Sequence, residues 1–214
     1  MLEEKILGLV AADSRNLYQA GCDSINQGDL DGAISLFNQS LDKEPGFVLC
    51  REALRRAQLA RARNRNGFFE HAWDEMCEIP ELAEAEAYLH TQPLKAIHAA
   101  EQVLNNVPNN ILAHRILAQA ALKTNMPRTA LLSLNFIYPR VRESLNIALE
   151  LASALGKTGH VREAISICGR LLKENPGSKR VTRLLGYFSR LAADEYPNSA
   201  RANHRPAPQI HRSF

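Results

Sequence analysis

The segment Gly156-Lys157-Thr158-Gly159 comes closest to a catalytic motif, because it contains the Gly-Lys-Thr of a phosphate-binding loop. Such a loop also needs a glycine five residues before Gly156 and a preceding strand, since its backbone N–H groups surround the phosphates. Leu151 stands at that position, and no strand pattern precedes it. We therefore interpret the segment as the turn between two helices.

The histidines, cysteines and serines form no recognisable reactive group. The seven histidines include no HExxH pair, the four cysteines include no CxxC pair, and no serine lies in a GxSxG elbow. We predict no catalytic site, no metal site and no cofactor, and we expect surface or hydrogen-bonded histidines (His71, His90, His98, His114, His160) and small buried thiols (Cys22, Cys50, Cys77, Cys168).

Composition favours a folded chain without a dominant charge. The 214 residues are 45% hydrophobic and carry 26 basic against 23 acidic side chains, so bulk charge indicates neither nucleic acid nor a membrane surface as partner. The start is acidic, the apolar stretch from Ile6 to Ala12 is too short for a signal sequence, and no run reaches the roughly 18 apolar residues of a membrane span. We expect a cytoplasmic protein.

Residues 48–76 combine arginines with aromatic residues. The stretch from Phe47 to Arg63 has an apolar helical stripe, and we expect its outer faces to carry arginines (Arg51, Arg55, Arg56, Arg61, Arg63, Arg65). Aromatic residues (Phe68, Phe69, Trp73) and an acidic stretch from Glu75 to Glu86 follow. Three interpretations stay open: charge compensation between two antiparallel helices, an aromatic anchor for a partner or lipid, or arginines that bind phosphate backbone.

One pattern recurs along the chain. Ala33-Ile34, Ala96-Ile97, Ala130-Leu131 and Ala164-Ile165 each open an apolar helical stripe, and the last three alanines are 34 residues apart. A proline follows three of these alanines after twelve residues, at Pro45, Pro108 and Pro176. A helical hairpin of this length cannot cover its own apolar face, so the pattern predicts hairpins stacked in a row.

The first unit gives the details of one hairpin. Gly28 is expected to make the turn between its two helices, Asp29 to cap the second helix, and Pro45 to end it. Pro93 and Pro127 stand where they can begin second helices without losing a hydrogen bond.

This pattern resembles the tetratricopeptide repeat family, which has a small residue at place 8, Gly at 15, Ala at 20, Phe at 24 and Pro at 32. The first unit matches at Gly21, Gly28, Ala33, Phe37 and Pro45, and the fourth at Ala152, Gly159, Ala164 and Pro176. The second has Glu84 at the small place and the third has Arg142 at the proline place. The resemblance implies an all-α fold, a right-handed α-solenoid of such hairpins with a C-terminal capping helix.

The predicted division of the chain follows from this register. It comprises an N-terminal helical extension (1–13), repeat 1 (14–47), an extra helix with an aromatic and acidic insert (48–76), repeat 2 (77–110), repeat 3 (111–144), repeat 4 (145–178), a capping helix (179–196) and a disordered basic tail (197–214).

The resemblance also implies a binding surface, since places 2, 5, 9, 12 and 13 of the first helices line a concave groove in this family. The polar residues at those places in repeats 3 and 4 and the capping helix form a basic and amide-rich set: Arg115, Gln119, Lys123, Asn146, Ser153, Lys157, Arg180, Arg183, Tyr187 and Arg190. They favour an acidic or extended peptide as ligand. Tyr18 and Cys22 replace the lysine and asparagine of the family's clamp for chaperone tails, which argues against that ligand.

We therefore predict a non-catalytic scaffold or adaptor that binds a protein or peptide partner in its groove. The alternative is binding of nucleic acid or an anionic surface through the arginine-rich helix 51–65 and the basic tail.

Overall fold

The computed structural model describes residues 4–65 and 80–195. In this part the secondary structure is helical, apart from a single bridge between Lys5 and Phe47, which confirms the all-α prediction. The ten helices described are α1 (Ala12–Asn26), α2 (Leu30–Lys43), α3 (Val48–Arg65), α4 (Pro80–Tyr88), α5 (Pro93–Asn106), α6 (Ile111–Lys123), α7 (Pro127–Ile137), α8 (Leu145–Lys157), α9 (Val161–Glu174) and α10 (Lys179–Glu195).

The helices pair as antiparallel hairpins that stack in a solenoid. Consecutive helices contact each other in the pairs α1/α2, α4/α5, α6/α7 and α8/α9, and the first helices α4, α6, α8 and α10 lie side by side. The recurring alanines lie at the centre of this packing, since all four are fully buried: Ala33, Ala96, Ala130 and Ala164. Small side chains at these positions let the helix backbones approach closely, as the repeat pattern predicts.

The turn chemistry of the first hairpin is also confirmed. Gly28 has a φ of +81°, a left-handed conformation that glycine adopts without a Cβ penalty. The Asp29 carboxylate accepts the Gly32 N–H at 2.9 Å and caps α2. α2 ends at Lys43, two residues before Pro45, and α5 and α7 begin at Pro93 and Pro127.

Helix α10 lies where the capping helix is predicted and covers the end of the array. Phe188 is buried against Gly156 of α8, where an added Cβ would overlap the phenyl ring. The remaining division into repeats stays a prediction, although each predicted repeat contains one helical hairpin.

Two expectations about helix placement are wrong. A helical extension is predicted over residues 1–13, but residues 4–11 contain only a 3-10 turn at Leu7–Leu9, and the Lys5 backbone N–H donates to the Gly46 carbonyl at 2.9 Å. Gly8 within the turn disfavours a continuous helix. In α4 the small buried residue is Ala85 and Glu84 is exposed, so this helix is shifted by one residue from the predicted register.

The described helices enclose two separate apolar cores. One is formed by α1 to α3, with Phe37 and Leu54 at its centre, and the other runs continuously from α4 to α10. We call the α1–α3 portion with residues 4–11 the N-terminal unit, and α4 to α10 the main array.

Candidate partner-binding surface

The predicted groove residues lie on α6, α8 and α10, three neighbouring first helices of the main array. We call these ten residues the groove face. The faces of α6 and α8 that point into the core contain buried alanines, including Ala118 and Ala152. The opposite faces of these two helices therefore point outward. The groove face is therefore built on rigid, closely packed helices rather than on loops.

One carboxylate joins two of the predicted residues. Glu150 of α8 accepts a 2.6 Å hydrogen bond from the Gln119 side chain, and its Oε1 lies 3.6 Å from Arg115 Nη2. The Glu150 side chain is only 17% exposed, whereas Arg115 is 35% exposed. Glu150 thus fixes the two side chains of α6 in place and compensates the charge of Arg115.

The predicted groove residues do not include Glu150. Its place in the repeat is not one that the family resemblance assigns to the groove, although it is the only acidic residue in α6 and α8. A lone carboxylate between basic residues on neighbouring helices was the available signal, because such a group seldom stays unpaired.

Helix α10 carries the most accessible part of the groove face. The Arg180 guanidinium donates to the Asn146 side-chain oxygen at 3.0 Å and so links α10 to α8. Arg183 and Arg190 are exposed and flank Tyr187, whose side chain is 53% exposed. An exposed aromatic ring between two cations offers both apolar contact and charge to a ligand.

The remaining predicted residues lie towards the ends of the helices. Ser153 is half-buried in α8. Lys123 and Lys157 are exposed at the last positions of α6 and α8, and both line one cavity of about 780 Å³. The Lys123 ammonium lies 3.0 Å from His90 Nδ1.

The arginine-rich helix does not have the exposed outer face that we expected. Arg51 and Arg55 are buried, at 2% and 5% exposure, and both pair with the Glu101 carboxylate of α5 at 3.0 Å. Arg51 also donates to the Thr129 hydroxyl of α7 at 3.2 Å. The prediction was wrong for these two residues because their partner lies about fifty positions away and no local pattern announces it.

A third arginine of α3, Arg61, is also engaged. Arg61 pairs with Asp31 at 2.5 Å and donates to the Asn105 carbonyl, whereas Arg56 and Arg63 are exposed. Arg51, Arg55 and Arg61 thus pair with carboxylates of α2 and α5. The Arg65 side chain, the aromatic residues at 68–73 and the tail 197–214 lie outside the described residues.

The phosphate-loop alternative is excluded by local structure. Gly156 and Lys157 are the last residues of α8, and the Thr158 hydroxyl donates to the Ala154 and Leu155 carbonyl oxygens at 3.0 Å. This hydroxyl therefore caps a helix C-terminus, and no backbone loop is left to surround a phosphate.

The buried histidine and thiols are structural. Burial, reinforced by the nearby Arg55 charge, lowers the pKa of His114 to about 3, and its Nε2 lies 3.0 Å from the Pro108 carbonyl oxygen. Burial raises the pKa of the Cys50 thiol to about 12 and also raises that of Cys168, so both thiols are unreactive. Cys22 is only half-buried, and Cys77 lies outside the described residues.

The described part of the chain contains no group of three histidine, cysteine or acidic side chains that could hold a metal ion. Within the same ranges, no helix has the length and apolar character needed to cross a bilayer.

Comparison with known proteins identifies structural relatives only. No protein-family model matches the chain, and no curated protein matches it either. Among solved structures, the chain is similar to MamA (15% identity, 92% of this chain and 98% of that chain, TM-score 0.42). It is also similar to the TPR domain of P58(IPK) (14%, 90% and 70%, TM-score 0.46) and to TTC0263, a TPR protein from Thermus thermophilus (17%, 82% and 98%, TM-score 0.42). The TM-scores of these structures are below 0.5, and the helical-repeat fold is shown by the chain's own hairpins and buried alanines.

Proposed function

We propose that the protein is a non-catalytic interaction module that binds an acidic segment of a protein partner along the groove face. The observation that carries this proposal is the charge of α6, α8 and α10. Their basic residues are Arg115, Lys123, Lys157, Lys179, Arg180, Arg183 and Arg190, whereas their acidic residues are Glu150, Asp194 and Glu195.

The imbalance is concentrated on accessible side chains. Glu150 is already engaged by Arg115 and Gln119, so it compensates none of the cations on α10. Arg183 and Arg190 are exposed on either side of Tyr187, and guanidinium groups of this kind bind carboxylates in fixed, two-pronged geometry.

The test is fluorescence anisotropy with a labelled glutamate-rich peptide and its glutamine-rich counterpart. The intact protein is expected to prefer the acidic peptide. The double variant Arg183→Gln/Arg190→Gln should bind it about tenfold more weakly, since two partly exposed ion pairs are worth roughly 1 to 2 kcal/mol together.

A matched control removes the same charge elsewhere. Arg142 and Lys173 are exposed residues outside the groove face, and the variant Arg142→Gln/Lys173→Gln should bind as the intact protein does. Equal weakening in both double variants would mean that only net charge matters, and an equal affinity for the two peptides would refute acidic-segment binding.

The arginine-helix alternative is not favoured. Two of its cations are buried in contact with Glu101, and a third pairs with Asp31. Their replacement would disturb folding before it tested nucleic-acid binding, so of the five α3 arginines whose side chains the structure describes, Arg56 and Arg63 are the two that can be probed cleanly.

A further inference from the structure

The cavity at one end of the groove face has an unusual lining. Three lysines line it, Lys95 from α5, Lys123 from α6 and Lys157 from α8, and its lining includes no acidic residue. The volume of about 780 Å³ lies within the range of ligand sites. Apolar side chains of Pro93, Leu94 and Leu122 form part of its wall.

The three lysines have no anionic partner among the described residues. The Lys95 ammonium lies 5.3 Å from the centre of the Tyr88 ring, and the Lys123 ammonium contacts His90 Nδ1. Lys157 is exposed at the end of α8. Like charges that line one cavity repel each other, so an anion bound among them would be stabilised.

Helix dipoles do not cancel this charge. The C-termini of α6 and α8 end at the cavity and contribute about half a negative charge each, whereas the N-terminus of α5 contributes about half a positive charge. The three partial charges sum to about −0.5. The three ammonium groups add three positive charges, so the net charge at the cavity is about +2.5.

We propose that this lysine pocket, Lys95, Lys123 and Lys157, binds a phosphate group on a protein segment that lies along the groove face. A carboxylate offers one charge and two oxygen atoms, whereas a phosphate monoester offers about −1.5 to −2 charges and three oxygen atoms. The phosphate monoester matches three ammonium donors better than a carboxylate does. The apolar wall of the pocket can contact the side chain that carries the phosphate.

The position of the pocket connects it to the surface already described. Lys123 and Lys157 belong to the groove face and are the last residues of α6 and α8. A bound segment that runs along these helices would place a side chain at the pocket as it leaves the groove. The inference therefore depends on the proposed function and adds a phosphorylated side chain to its ligand.

The experiment compares two labelled peptides that share one glutamate-rich sequence and differ only by serine or phosphoserine near one end. Each is titrated by anisotropy against the intact protein, the variant Lys95→Gln/Lys157→Gln, and the charge-matched control Arg142→Gln/Lys173→Gln. We expect phosphorylation to strengthen binding about tenfold in the intact and control proteins, and less than about twofold in the lysine variant.

The outcomes separate the two proposals. Equal affinity for both peptides overturns the phosphate pocket and leaves acidic-segment binding standing, whereas no binding of either peptide overturns both. A phosphorylation gain that survives in the lysine variant places the phosphate elsewhere and also overturns the pocket. Free phosphoserine is added as a competitor of the labelled phosphopeptide. If it displaces that peptide as well as the unlabelled phosphopeptide does, a small phosphate compound rather than a protein segment is the ligand, and the proposal is overturned.

Discussion

The N-terminal unit and the main array are joined differently from the hairpins within the main array. From α4 to α10 the helices share one continuous apolar core built on fully buried alanines. The N-terminal unit has its own core, and its polar contacts with α5 and α7 include the ion pairs of Arg51 and Arg55 with Glu101 and the hydrogen bond from Arg51 to Thr129. Apolar stacking tolerates many sequences, whereas a buried ion pair requires specific partners, so the junction depends on a few residues.

Glu4 makes a further polar contact across the same junction. The Glu4 carboxylate accepts the backbone N–H groups of Arg128 and Thr129 at 2.9 and 2.6 Å, and so caps the N-terminus of α7 from a distant part of the chain. Met126, the residue before α7, offers no side-chain cap of its own. The N-terminal unit thus completes a helix that belongs to the main array.

The largest expected effect is at the junction. Glu101→Ala leaves two buried guanidinium groups without their shared carboxylate and should cost about 3 to 5 kcal/mol of unfolding free energy. Urea unfolding measures the loss, and hydrogen-exchange mass spectrometry should locate it mainly in α1 to α3. The exposed Glu163 provides the control, since Glu163→Ala should cost well under about 1 kcal/mol. A small cost for Glu101→Ala would show that the junction does not depend on the ion pairs.

A cavity introduced into the apolar core of the main array tests whether the two cores are separate. Leu117 is fully buried in α6, and Leu117→Ala should cost about 2 to 5 kcal/mol because it removes buried apolar area and leaves a void. Here hydrogen exchange should accelerate in α5 to α8 and leave α1 to α3 little changed. Equal acceleration in the N-terminal unit would contradict the separation into two cores.

The pH dependence of stability should reflect His114, because Arg55 of the junction lies close enough to lower the pKa of this histidine. A pKa of about 3 in the folded protein lies below the ordinary value of about 6.5. The unfolded chain therefore binds more protons between these values, and stability falls as pH drops below about 6.5, by about 1.4 kcal/mol per pH unit. At pH 5 the loss should be roughly 2 kcal/mol.

The check is to measure unfolding free energies at pH 7 and pH 5 for the intact protein and for His114→Gln. The variant should lose the part of the pH dependence that comes from this group, whereas His160→Gln, at an exposed position, should retain it. An unchanged pH dependence in His114→Gln would contradict a buried neutral imidazole.

The smallest effect is expected at the long-range cap. Glu4→Ala removes the acceptor for two N–H groups of α7 and should cost about 1 kcal/mol, the usual value of an N-terminal cap. The thermal unfolding of Glu4→Ala is compared with that of Glu143→Ala, which changes an exposed residue between α7 and α8. The difference measures the contribution of the cap. If the two variants match, the cap contributes nothing measurable.

The same contrast explains what the sequence could predict. Local signals gave the hairpins: Gly28 at a left-handed turn, Asp29 as a cap, and the recurring alanines at the packed centres. The junction could not be anticipated, because an arginine on a helix has the same local pattern whether it meets solvent or a carboxylate fifty residues away. The surface places of α6, α8 and α10 followed from the register, but Glu150 and Lys95 lie outside the family's groove places, and α4 lay one residue out of register.

The most direct test of acidic-segment binding is an amide chemical-shift map of the protein during titration with the glutamate-rich peptide. Binding along the groove face predicts shifts concentrated in α6, α8 and α10, with the largest changes near Arg183, Tyr187 and Arg190. Shifts concentrated in α2, α7 and α9, or spread evenly over all basic residues, would contradict it.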